Sequence, residues 1–114
     1  MGQLQVTARL LIHDGKLGEF KEVAARCMES VRTKDTGTLQ YDWFLNPEGT
    51  ECVVREMYRD SEAVFEHMGN LGDTLGHLLA LCDMELEVFG DPSQALIDAT
   101  AEMGARIYAP LPAT

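Results

Sequence analysis

The chain has 114 residues, ordinary hydrophobic content, and nineteen acidic against nine basic side chains for a net charge of −10. That length holds one domain with a real core, and the acidic balance opposes nucleic acid and anionic membranes through its long-range field. Three widely spaced cysteines, Cys27, Cys52 and Cys82, form no Cys-x-x-Cys pair, so free thiols are expected, with neither a disulfide framework nor a zinc site.

No apolar run approaches membrane-spanning length, and the first residues show neither the basic nor the apolar region of a secretory signal. Met1-Gly2 opens a myristoylation motif, but Val6 stands where that motif needs Ser or Thr. A cytoplasmic location is the expectation.

In chain order, Leu4, Val6, Ala8, Leu10 and Ile12 alternate with Gln5, Thr7, Arg9 and Leu11, the period of a half-buried strand ended by Asp14-Gly15. Leu17, Phe20, Ala24, Cys27, Met28 and Val31 then fall on one helical face. Lys34-Asp35-Thr36-Gly37 reads as a turn with Gly37 left-handed. Thr38 to Leu45 alternates again, with Leu39, Tyr41, Trp43 and Leu45 on one face. Asn46-Pro47-Glu48-Gly49 connects it to a returning strand from Cys52 to Tyr58.

Asp60 is placed to cap a helix carrying Val64, Met68, Leu71, Leu75, Leu78 and Leu79, which Gly69 and Gly72 are expected to bend or break. Asp83 to Phe89 is a further alternating strand, closed by Gly90. Asp91-Pro92-Ser93-Gln94 predicts a helix start with Asp91 as cap. Leu96, Ile97, Thr100 and Met103 continue that helix, and residues 105–109 form a last short strand.

The core order is thus β-α-β-β-α-β, a ferredoxin-like α+β fold with one antiparallel sheet and helices on one face. Residues 1–90 form this unit, and 91–114 are a C-terminal extension of it. Leu and Val fall on both faces of the strands, which suggests a homodimer that covers the bare face.

The polar groups set among these apolar elements are few. Glu56 ends an apolar strand, and His67 sits on a core-forming helix, with Tyr41 and Trp43 on the neighbouring strand. As plain structure, Glu56 pairs with Arg55 or Arg9, the usual solution for a semi-buried carboxylate, and His67, Tyr41 and Trp43 are core residues.

The chain resembles the antibiotic biosynthesis monooxygenase family, which forms dimeric α+β barrels. The matching pieces are Val6-Thr7-Ala8-Arg9-Leu10 with Gly15, Gly37-Thr38-Leu39-Gln40-Tyr41, Glu56-Met57-Tyr58-Arg59-Asp60, and Ala63 to His67. They lie within roughly residues 4–90. Tyr58 replaces the usual Trp of that pattern, and the frequent Ser-Pro-His after the helical histidine is absent.

The resemblance implies a cofactor-independent monooxygenase that oxidises a small aromatic or quinol-like metabolite with dioxygen, and needs no metal or flavin. In that reading His67 is the base and Glu56 its orienting partner. Tyr41, Trp43, Phe65 and Met68 wall the pocket. Two alternatives stand beside it. One is a non-catalytic domain that binds a small apolar ligand. The other follows the haem-degrading branch of the superfamily, with His77 as haem ligand or as a further substrate contact. Ala8 and His67 stand where that branch uses Asn and Trp.

Overall fold

In the computed structural model, which describes residues 2–112, the elements run β1 (Leu4–Ile12), α1 (Leu17–Lys34), β2 (Thr38–Leu45), β3 (Glu51–Tyr58), α2 (Ser61–Leu71), α3 (Asp73–Leu79), β4 (Cys82–Phe89), α4 (Gln94–Ala101) and β5 (Arg106–Tyr108). Met1, Ala113 and Thr114 lie outside the described residues, and with them the extreme ends of the 1–90 and 91–114 division. Among the described residues no helix is long and apolar enough to cross a membrane.

The sheet order is β2-β3-β1-β4-β5, so the ferredoxin-like α+β fold is present. The four core strands pair antiparallel, as expected, and the C-terminal extension adds a fifth at one edge. Strand β5 pairs with β4 in parallel, Glu87 opposite Arg106 and Phe89 opposite Tyr108. The reason is the connection: helix α4 carries the chain back over the sheet, so the next strand enters in the same direction. Leu96 on α4 is 1% exposed and joins the cluster of Leu4, Val6, Tyr58, Val64 and Val88. The extension therefore completes the core beside β1 and α2.

Residues directly opposite in a ladder share a face, and the register converts sequence alternation into rows. Val88, Val6, Glu56 and Tyr41 form one row, and Leu86, Ala8, Val54 and Trp43 the next. Both rows face the helices. The alternation in β2 is interrupted by a bulge between Thr38 and Gln40, and Leu39 is 51% exposed. Tyr41 and Trp43 are the β2 members that pack against the core.

Three local devices set the positions of the helices. Asp60 caps α2 as expected, its Oδ1 accepting from the Ala63 amide at 2.9 Å. The helix breaks at Gly72, whose φ of +52° is open to glycine and costly for other residues, while Gly69 stays inside α2. Gly37 is not left-handed, contrary to the turn reading. A Cβ there would lie 2.5 Å from the Ala63 Cβ, so glycine is required by the close approach of the β2 entry to α2. The cap of α4 is also corrected. Ser93, and not Asp91, accepts from the Leu96 amide at 3.2 Å. Pro92 is buried ahead of the helix, and Ser61 Oγ accepts the Ser93 amide.

Candidate functional site

A largely apolar cavity of about 70 Å³ lies between the sheet and helices α2, α3 and α4. Its floor is the two rows just described, and Val64, His67, Met68 and Leu71 of α2 roof it. Met68, Met84 and Met103 all line it. Methionine is unbranched and adapts its shape readily, so this wall is adjustable. Few polar side chains face the space: Tyr41, Trp43, Glu56, Tyr58, His67 and Thr100. The Thr100 hydroxyl is already spent on the Leu96 carbonyl at 2.8 Å.

His67 is buried, and its Nδ1 lies 2.9 Å from Asp35 Oδ2. Asp35 also accepts from Thr38 Oγ1 at 2.6 Å and from Asn70 Nδ2 at 2.8 Å. Burial works against the Asp35 charge, but the hydrogen bonds from Asn70, Thr38 and His67 outweigh it and hold the carboxyl below its ordinary value. An ionised Asp35 fixes the proton of a neutral imidazole on Nδ1 and leaves the Nε2 lone pair free. Burial lowers the His67 pKa, and this outweighs the raising effect of Asp35. The ring is therefore held neutral, oriented and basic at one nitrogen.

Glu56 stands on the floor with Tyr41 opposite it in the ladder. The Tyr58 hydroxyl donates to its Oε1. Burial pushes the Glu56 carboxyl up to about 7, against the lowering effect of that hydrogen bond. The Tyr41 and Tyr58 rings pack on the His67 imidazole, with centroids 5.1 and 5.4 Å away. Tyr58 thus touches both groups, with its ring on the histidine and its hydroxyl on the glutamate. Burial raises the pKa of both tyrosines, which remain protonated. Trp43 Nε1 is buried without a hydrogen-bond partner among the described residues, a cost that an acceptor on a bound ligand would remove.

Five of the seven residues singled out in the sequence thus meet at one cavity: His67, Glu56, Tyr41, Trp43 and Met68. Two do not. Phe65 is turned off the lining by its place on α2 and packs beside the Leu4 and Val6 cluster. His77 is exposed on α3, where Arg26 Nη2 donates to its Nδ1 at 3.1 Å, so neither a substrate contact nor a haem ligand in this cavity is supplied by it.

The expected pairings of Glu56 are corrected as well. Its bound partner is Tyr58 and not His67, whose Nδ1 is held by Asp35. Arg9 instead pairs with Glu51 at 3.1 Å. Asp35, Asn70 and Tyr58 were the members missed. Asp35 sits in a turn-forming tetrapeptide that masks any other role, and only a search for a carboxylate facing the helical histidine would have raised it. Among the described residues no group of three or more His, Cys, Asp or Glu is arranged to hold a metal ion.

The fold is shared with solved structures. MupZ from Pseudomonas fluorescens matches with a TM-score of 0.81 at 20% identity, over 100% of this chain and 94% of that one. Rv0793 from Mycobacterium tuberculosis gives 0.70 at 21% identity, over 82% and 99%. SnoaB, a cofactor-independent oxygenase from Streptomyces nogalater, gives 0.68 at 19% identity, over 82% and 97%. At such identities these likenesses establish fold alone. No curated protein sequence matches the chain. The model of the antibiotic biosynthesis monooxygenase family matches residues 4–72, more than half of the sequence, and the chain belongs to that family.

Proposed function

We propose that this protein is a cofactor-independent monooxygenase that oxidises a small aromatic or quinol-like metabolite with dioxygen in the cavity roofed by His67. The observation that carries the reading is the Asp35–His67 pair set against an otherwise apolar space. His67 Nε2 takes a proton from the acidic O–H or ring C–H of the substrate. The resulting anion passes one electron to dioxygen, and the substrate radical and superoxide combine at a ring carbon. Proton return and loss of water from the peroxide, taking the hydrogen of the attacked carbon, leave a carbonyl at that carbon. One oxygen atom enters the product and the other leaves as water, and the substrate supplies every electron.

The protein contributes a base, aromatic walls and the exclusion of water. Trp43 Nε1 and the Tyr41 hydroxyl offer hydrogen bonds to a substrate oxygen. The cavity of about 70 Å³ is near half of the roughly 150 Å³ that holds a benzene ring, so a one-ring substrate enters by displacing Met68, Met84 and Met103. The family membership and the SnoaB fold support this reading. The outer face of the sheet bears exposed Leu11, Phe44 and Phe89, and in this proposal it is covered by a second copy of the chain.

The test is oxygen uptake with a panel of one-ring hydroquinones, beside His67→Ala. Uptake above autoxidation that is lost in the variant supports the reading. Uptake equal to buffer, or equal in both proteins, leaves a domain that binds a small apolar ligand without this chemistry.

A further inference from the structure

The oxygenase chemistry uses the histidine and leaves Glu56 with little to do. A carboxyl in an apolar cavity is costly to keep, and this one is specifically held. Its Oε1 accepts from Tyr58, and its ladder partner Tyr41 packs on the same imidazole. The site therefore has two proton-handling groups on opposite walls. His67 is on the helix roof and Glu56 on the sheet floor, and the rings of Tyr41 and Tyr58 lie against the histidine. Two groups whose surroundings drive their protonation apart form an acid–base pair.

We propose that the cavity also catalyses a non-oxidative proton shift, the isomerisation of an enolisable ring ketone, with His67 moving the proton on carbon and Glu56 serving the oxygen. His67 Nε2 takes the proton between the carbonyl and a β,γ double bond, while the Glu56 carboxyl donates its proton to the carbonyl oxygen and a dienol forms. The imidazolium then returns its proton at the γ carbon as the dienol O–H proton goes back to Glu56. One C–H bond breaks and one forms, no electron is gained or lost, and no co-reactant is consumed. An uncharged, single-ring ketone suits the apolar lining and the small volume. This activity shares His67 with the oxygenase reading but needs neither dioxygen nor an oxidisable substrate.

The groups around Glu56 define its pH dependence. Tyr41 faces it from β2, Tyr58 from β3 and Cys27 from α1, while His67 lies on α2 with Asp35 behind it. Both tyrosines and Cys27 are held protonated by burial, which leaves His67 and Glu56 as the groups that titrate in the working range. The rate should rise as the imidazole loses its proton, below the ordinary histidine range, and fall as Glu56 loses its own near 7.

The experiment is conversion of a β,γ-unsaturated cyclohexenone to the conjugated enone, followed by absorbance in anaerobic buffer. The expected result is a bell-shaped profile above the buffer rate, lowered roughly 10²-fold by His67→Ala and by Glu56→Gln. Tyr58→Phe, close in shape, removes the hydrogen bond that favours the ionised carboxyl and should move the alkaline limb upward. No rate above buffer, a rate unchanged in His67→Ala, or an unmoved limb in folded Tyr58→Phe would overturn the proposal. Because oxygen is absent, failure here leaves the oxygen-uptake result standing, and the converse also holds.

Discussion

Replacing Asp35 with asparagine keeps the shape of the side chain and removes the charge that orients His67. The carboxylate accepts from three donors, at 2.6, 2.8 and 2.9 Å, and its side chain is 2% exposed. An amide has only one oxygen. If that oxygen stays toward His67 and Thr38, the amide nitrogen faces the Asn70 nitrogen, donor against donor. An unpaired buried donor costs about 1–3 kcal/mol, and the loss of charge weakens the remaining bonds, for a total of about 2–4 kcal/mol. If the amide turns over, its nitrogen faces His67 Nδ1, and the imidazole pairs with it only by carrying its proton on Nε2. The base is then blocked, and activity falls by roughly 10²–10⁴-fold.

Either arrangement is measurable. Urea unfolding reads the stability, and nitrogen-detected NMR of the imidazole reads the tautomer. The pH dependence adds a sign. The Asp35 pKa is depressed below 3.8 in the folded state, so its stabilisation is present above the unfolded value and disappears as pH falls through the folded one. Asp35→Asn should flatten that acid-side loss. A variant with stability within about 0.5 kcal/mol of the parent, an Nδ1-protonated ring and full activity would refute the account.

Glu56→Gln should stabilise the fold in alkali while it abolishes the proton transfers assigned to Glu56. The raised carboxyl contributes fully below the unfolded value of 4.5 and loses that contribution as pH rises through about 7. Thermal unfolding should therefore show a gain of about 3 kcal/mol for the variant above that range and little difference in acid; equal curves at all pH values would refute it. Gly37→Ala should cost about 1–3 kcal/mol in urea unfolding, because the new Cβ meets the Ala63 Cβ at 2.5 Å; a neutral result would mean that α2 and β2 separate freely. His77→Ala should leave oxygen uptake and the visible spectrum unchanged, since His77 lies on the outside against Arg26; a Soret band in the parent that vanishes in the variant would restore the haem reading.

The parts of this fold that depend on local period were legible in the sequence. The alternation of Leu4, Val6, Ala8 and Leu10 marked the buried face of β1, and Asp60 marked the start of α2. Gly72 was visible as a break because a glycine inside a helical pattern weakens the helix and readily takes the positive φ that ends it. What failed depended on contacts distant in sequence. Gly37 reads as a turn residue until Ala63 is placed against it. Asp35 reads as a turn former until His67, 32 positions away, is brought to it. The direction of β5, on which the sequence pattern was silent, follows from the return of the chain over α4.

The same limit applies to the candidate site. His67 and Glu56 stood out because each is polar on an apolar element, but polarity alone does not say which pairs touch. The residues alone pointed to an arginine partner for Glu56 and the family resemblance to His67; the fold gives His67 to Asp35 and holds Glu56 with Tyr58. This separates two carboxylates into distinct states, Asp35 ionised and Glu56 largely protonated below about pH 7.

The central claim is that the His67 cavity puts oxygen from dioxygen into an aromatic substrate. The most direct measurement is a single-turnover reaction of the purified protein under heavy-isotope dioxygen, with a reactive member of the quinol panel and mass analysis of the product. The account predicts one labelled oxygen atom per product molecule, formed faster than in buffer and not formed above that rate by His67→Ala. A product whose new oxygen comes from water, or label incorporated equally by the variant, would contradict it.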